Sequence, residues 1–146
     1  MNWQRKIHLI RTSVLRAMHR RGFGIQSPWA YEMVRDVLFE PLAYYAYEEQ
    51  GLRTESQRQM FRIKNHFRCC RVVVIDDVGP KASAVYDDAM AQAAPGMVVV
   101  MEHAEDANAA LWQRAVMDER AVITFDMGRR GLIVIDPKRI KQNYLL

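Results

Sequence analysis

Val72-Val73-Val74-Ile75 is an unbroken β-branched run with no polar side to turn toward water. Runs of this kind belong to strands covered on both faces within a parallel sheet. Met97 to Met101 has the same character. Between the two lie a Gly79-Pro80 turn and an Ala-rich stretch, Lys81 to Ala93, which Pro95-Gly96 stops. The pattern predicts strand, crossover helix, strand. Glu105 to Met117 reads as a further helix, and Ala121 to Phe125 and Leu132 to Ile135 as two more strands. Only Asp126 to Gly131 separates these last two. That is too short for a parallel crossover, so an antiparallel hairpin is expected. The order β-α-β-α-β-β implies an α/β fold: a mainly parallel sheet with a C-terminal antiparallel hairpin, covered by helices.

The chain before Arg71 reads as helical. Trp3, Ile7, Ile10, Val14 and Met18 recur at steps of three and four, an apolar stripe on a helix whose other face is basic. Gly22-Phe23-Gly24 ends that helix. Ser27 is placed to cap the next one, with Pro28 at its first position, where the missing N–H costs nothing. Tyr31, Val34, Val37 and Leu38 are its expected buried side, and Pro41 closes it. A third helical region, Tyr44 to Phe67, is weakened at Gly51. The expected organisation is a helical leader over residues 1–70 packed on an α/β core over 71–146, together one compact domain.

Half of the 146 residues are apolar, enough to bury a core and too many for a disordered chain. The longest apolar runs fall short of the ~20 residues that a bilayer-spanning helix needs. Met1 to Lys6 carries no apolar signal segment. The two cysteines, Cys69 and Cys70, are adjacent, a spacing that suits neither mutual pairing nor metal ligation. They read as reduced core thiols, and the expected location is the cytoplasm. The net charge of +4 is unevenly spread. Arg5, Lys6, Arg11, Arg16, Arg20 and Arg21 all precede the first acid, Glu32, and a second basic stretch runs Arg58, Arg62, Lys64, Arg68, Arg71. The front helix is expected to rest its stripe on the core. An anionic surface bound through residues 1–21 is the alternative. Nucleic acid is not an expected partner, because no reader motif accompanies the charge.

In open parallel sheets, ligands bind beyond the carboxyl ends of the strands. Asp76-Asp77 follows the first strand and Glu102-His103 the second. On neighbouring strands these groups can converge, to hold a divalent cation or move a proton. The alternative is that Asp77 and Glu102 cap or flank the following helices, whose N-termini favour acids. A phosphate loop would need several glycines. The first turn has Gly79 alone, followed by the stiffening Pro80, and the second has none. Tyr44, Tyr45 and Tyr47 are expected to pack between helices.

Gly22-Phe23-Gly24-Ile25-Gln26-Ser27-Pro28-Trp29-Ala30-Tyr31, followed by Tyr44-Tyr45-Ala46-Tyr47-Glu48-Glu49, resembles the helical leader of a bacterial group of class I S-adenosylmethionine-dependent methyltransferases. Thr124-Phe125-Asp126-Met127, Gly131-Leu132-Ile133-Val134 and Lys141-Gln142-Asn143-Tyr144 resemble the group's final hairpin and C-terminus. Leader and tail together cover about half of the chain. Full members run well beyond this length and carry a Glu-x-Gly-x-x-x-Gly cofactor loop after their first strand. In one alignment Val72 to Met101 resembles their fourth strand, helix and fifth strand, and the cofactor-binding half of the sheet is absent. Asp76, Glu102 and His103 then fall where related O-methyltransferases keep metal-binding groups. In the other alignment Val72 begins the first strand, Asp77, Gly79 and the residues after them are a degraded cofactor loop, and Glu102 is the ribose-binding acid. The first alignment is preferred, because its strand-to-tail spacing needs no further gaps. The resemblance thus implies a partial Rossmann-like methyltransferase sheet and a remnant that acts by binding. No cofactor and no divalent metal are expected, with S-adenosylmethionine as the alternative. A homodimer or protein partner is expected to cover the sheet edge at 72–76.

Overall fold

The computed structural model describes residues 3–146. The chain divides into two compact units, Met1–His66 and Phe67–Leu146. Each is built around its own set of buried residues.

The first unit is helical. α1 spans Trp3–Arg20 and ends in a Schellman motif, in which Gly22 N–H donates to His19 O and Phe23 N–H to Met18 O. Gly22 has φ +86, and a Cβ there would lie 2.2 Å from the Tyr31 ring, so both conformation and space require glycine. Ser27 caps α2, Pro28–Glu32, through its hydroxyl, which accepts from Ala30 N–H, and Pro28 opens the helix as expected. The helix then widens into a π-helical segment, Met33–Leu38. The wider turn changes the periodicity after Glu32. Val34, Val37 and Leu38 are therefore buried together, while Tyr31, expected beside them, is 42% exposed. The third helical region breaks at Gly51 into α3, Tyr45–Glu49, and α4, Glu55–His66. Thr54 and Gln57 cap α4 reciprocally.

Arg62, on α4, is the polar centre of this unit. Its guanidinium donates to the carbonyls of Val37 at 2.6 Å and Leu38 at 3.0 Å, and to the Tyr47 hydroxyl, and it ion-pairs with Glu55 at 2.6 Å. Gln59 also donates to Leu38 O. A cation thus satisfies the carbonyls that the π-helical segment leaves open at its C-terminus. Tyr47 is buried and meets Tyr44 and Phe61 edge to face. Tyr45, expected to pack with them, is 88% exposed.

α1 departs from expectation in one respect. Its apolar stripe forms, but none of its described residues is buried, and Trp3, Ile10 and Val14 are more than half exposed. Periodicity says which face of a helix is apolar, not what covers it.

The second unit is an α/β layer built on a five-stranded open sheet of order β1-β2-β4-β3-β5. The strands are β1 Val72–Ile75, β2 Val98–Met101, β3 Ile123–Asp126, β4 Gly131–Val134 and β5 Gln142–Leu145. β1 pairs parallel with β2, and β3 with β5. β4 pairs antiparallel with both β2 and β3, so it alone is reversed, and the expected hairpin lies inside the sheet. α5, Pro80–Ala91, connects β1 to β2, and α6, Ala109–Met117, connects β2 to β3. Tyr86, Ala89 and Met90 of α5 and Trp112 and Ala115 of α6 share a core with Ile75, Val99, Met101 and Ile133. The Trp112 ring lies against Gly131, where a Cβ would come within 2.3 Å of it.

Four features differ from the sequence reading. Only Ile75 of β1 is buried and Val72 to Val74 are half-buried, because β1 is an edge strand rather than an interior one. α6 begins at Ala109 rather than Glu105. β5 was not foreseen; it starts with Gln142 and Asn143 and is held by Thr124 Oγ1 donating to Asn143 and by Tyr144 stacking on Phe125 at 5.2 Å. Cys69 and Cys70 are exposed in the turn before β1, not in the core.

Candidate functional site

Parallel pairing of β1 and β2 brings Asp76-Asp77 and Glu102-His103 to one end of the sheet. What organises that end is Asn108, just before α6 and only 2% exposed. Its side-chain amide donates to Asp77 O at 2.9 Å and Glu102 O at 3.0 Å, and its oxygen accepts from Gly79 N–H at 3.3 Å. One side chain therefore ties both strand-end loops together. It serves the loops rather than its own helix, which has no side-chain cap.

Glu102 is committed elsewhere. Its Oε1 accepts from Arg130 Nε at 2.5 Å, and both side chains are largely buried, Arg130 at 8% exposure and Glu102 at 17%. Arg130 comes from the β3–β4 hairpin, whose loop is closed by Met127 N–H donating to Arg130 O and joined to the β2 end by Ala104 N–H donating to Arg129 O. His103 has φ +57, a left-handed conformation uncommon for a non-glycine residue. It faces Asp106, with Nδ1 3.5 Å from the carboxylate. Asp76 and Asp77 are exposed. Of the candidate metal set, Asp76, Glu102 and His103, the acid just after β2 is thus paired with an arginine. Among the described residues no group of three or more His, Cys, Asp or Glu side chains is placed to hold a metal ion. Nor does either acid cap a helix: α5 follows Gly79 and α6 follows Asn108.

For the cofactor set, Asp77, Gly79 and Glu102, the loop geometry matters most. Gly79 has φ +68 and ψ −139, a region in effect restricted to glycine. A Cβ there would meet nothing within 4 Å. Glycine is needed at this position for the backbone turn, and its N–H already has a partner in Asn108. The two strand-end loops are tied to each other by these hydrogen bonds. Sequence reasoning missed Asn108 and Arg130. The available signal for Asn108 was its type and place, an N-cap residue directly before an apolar-periodic segment. Arg130 sits in a hairpin loop and carried none.

A second polar cluster lies where α6 meets the start of β3. Asp118 accepts from the Tyr86 hydroxyl at 2.8 Å and from the Arg120 guanidinium at 3.0 and 2.8 Å. The Arg120 hydrogen bonds outweigh the cost of burial and hold the Asp118 carboxyl at about 2. Burial and the Asp118 carboxylate push the Tyr86 hydroxyl up. Lys141 donates to the carbonyls of Asp118 and Ala121, and desolvation pushes its ammonium down. The cluster fastens α5, the α6 end and the approach to β5.

β1 presents an open backbone edge. Val98 N–H donates to Arg71 O and Glu102 N–H to Ile75 O. By strand alternation, the peptide groups of Val72 and Val74 then point to the other side, where no strand pairs among the described residues. Compared with known proteins, the chain matches no family model, no curated protein and no solved structure. Among the described residues no helix is long and apolar enough to cross a membrane.

Proposed function

We propose that the chain is a remnant of a class I S-adenosylmethionine-dependent methyltransferase sheet, without a working cofactor site, that acts by binding a second protein chain along β1. The observation that carries this reading is the position of β1 at a sheet edge, parallel to β2. In a doubly wound sheet the fourth strand lies between the first and the fifth. If β1 and β2 correspond to the fourth and fifth strands, the open side of β1 is where the first strand is missing. If they corresponded to the first and second, a parallel third strand would stand beyond β2, and the antiparallel β4 stands there instead. The topology therefore favours the alignment in which the cofactor half is absent. The rival, a small active methyltransferase using Asp77, Gly79 and Glu102, is disfavoured because Asn108 already takes the Gly79 N–H and the Asp77 carbonyl, and Arg130 the Glu102 carboxylate.

The simplest partner is a second copy, since two β1 edges related by a twofold axis pair antiparallel. Light scattering on the full chain is expected to give about twice the 17.0 kDa of one chain. Val74→Pro removes an outward N–H at an edge position where proline is tolerated. It is expected to yield a folded monomer. A wild-type monomer, or a dimer that Val74→Pro leaves intact, would overturn the edge as the binding surface.

A further inference from the structure

α1 is an exposed amphipathic helix with charge of one sign only. Around its axis Trp3, Ile7, Ile10, Val14, Ala17 and Met18 fall within an arc of about 100° at 3.6 residues per turn. Exposure of the large residues of this arc runs from 43% at Ile7 to 73% at Trp3. Lys6 and Arg11 lie just outside the arc on its two sides, while Arg5 and Arg16 lie on the opposite face. No acidic residue occurs anywhere from Trp3 to Tyr31. The far end of the helix is held within its own unit: Arg20 stacks over the Phe39 ring at 4.9 Å, and Arg35 donates to Arg21 O. The N-terminal part of the helix, Trp3 to Val14, carries most of the apolar arc and both flanking cations.

We propose that α1 docks in the plane of an anionic lipid bilayer, with Trp3, Ile7, Ile10 and Val14 in the acyl boundary and Lys6 and Arg11 reaching the headgroups. A lipid surface is the occupant that meets both halves of the observation. Interfacial helices combine an apolar face, an aromatic residue and flanking long cationic side chains that extend to the phosphates. A second copy of α1 fits less well. The stripe steps 3, 7, 10, 14, 17 as coiled-coil core positions do, and the flanking positions of that register hold Lys6, Arg11 and Arg20. Self-pairing would set these like charges against one another. A nucleic-acid backbone would use the cations but leave the apolar arc in water. The inference is independent of β1, because it concerns residues of the other unit.

The test is co-sedimentation of the full chain with large unilamellar vesicles, either pure phosphatidylcholine or phosphatidylcholine containing phosphatidylglycerol, at low and high salt. Binding to the anionic vesicles is expected, weakening with salt. Quenching of tryptophan emission by brominated acyl chains is expected, and Trp3→Phe should reduce it. The double variant Lys6→Gln, Arg11→Gln should lower partitioning about twenty-five-fold, at about fivefold per surface charge. Ile10→Asp should abolish insertion and leave the circular dichroism melt of the chain unchanged, since Ile10 is already 63% exposed. Three results would each overturn the proposal: no sedimentation with anionic vesicles at low salt, equal binding to neutral vesicles, or binding that Ile10→Asp leaves intact. A self-association through α1 that Ile10→Asp removes, with no vesicle binding, would assign the stripe to a second copy instead.

Discussion

Removing the Asn108 side chain tests the description of the strand end. Asn108→Ala deletes two donated bonds, to Asp77 O and Glu102 O, and one accepted from Gly79 N–H. At about 1 kcal/mol net for each neutral hydrogen bond the ceiling is about 3 kcal/mol. Asp77 and Gly79 are exposed, so water replaces part of what is lost there, and Glu102 O is the group left worst off. The expected cost is about 2 kcal/mol of unfolding free energy. Asn108→Asp keeps the shape but sets a carboxylate oxygen against two carbonyls. It should cost more than alanine at neutral pH. Its carboxyl pKa would be raised in the folded state, so the deficit should shrink as pH falls and a protonated acid can donate one of the lost bonds. Urea unfolding followed by circular dichroism gives the global number. Amide hydrogen exchange at Gly79 gives the local one, with protection lost in Asn108→Ala. An alanine variant within about 0.5 kcal/mol of wild type, the range of ordinary surface substitutions, with Gly79 still protected, would refute the clamp.

The other expectations follow from single contacts. Gly131→Ala places a Cβ about 2.3 Å from the Trp112 ring and should cost about 3 kcal/mol through overpacking. Trp112→Leu in the same chain should recover part of that loss, and a strictly additive double mutant would show that the two residues do not meet. Asp118 is held at about 2 against an ordinary 3.8. Its depressed value stabilises the fold above the ordinary value, by about 1 kcal/mol once solvent screening of the exposed Arg120 partner is allowed for, and that gain disappears as pH falls toward 2. Asp118→Asn should therefore be less stable than wild type at neutral pH and flatten the acid limb, and an unchanged acid limb would remove Asp118 as its cause.

The fold was legible where residue type and covering agree. Val98 to Val100 are apolar and fully buried, and the short Asp126–Gly131 connection allowed only a hairpin. β1, Val-Val-Val-Ile, is as apolar as β2, Val-Val-Val-Met, but lies at an edge, and nothing in Val72-Val73-Val74-Ile75 distinguishes an edge from an interior strand. β5 escaped notice because a four-residue strand beginning Gln142-Asn143 owes its place to pairing with β3 rather than to an apolar run. The same limit applied to the site. The convergence of Asp76, Asp77, Glu102 and His103 at one sheet end could be inferred from strand order. Their commitments could not, because Asn108 reaches Asp77 from 31 positions away in the chain and Arg130 reaches Glu102 from 28. The stripe on α1 was readable as a periodicity, while its exposure depends on what the rest of the chain leaves uncovered.

Whether the strand end is closed to a cofactor is tested most directly by calorimetric titration of the full chain with S-adenosylhomocysteine. Asn108 already takes the Gly79 N–H, and Arg130 the Glu102 carboxylate. No saturable heat is expected, and no rise in melting temperature with ligand concentration. Saturable binding in the micromolar range, with the rise in apparent stability that any ligand selective for the folded chain must produce, would contradict the closed site and restore Asp77, Gly79 and Glu102 as a working cofactor loop.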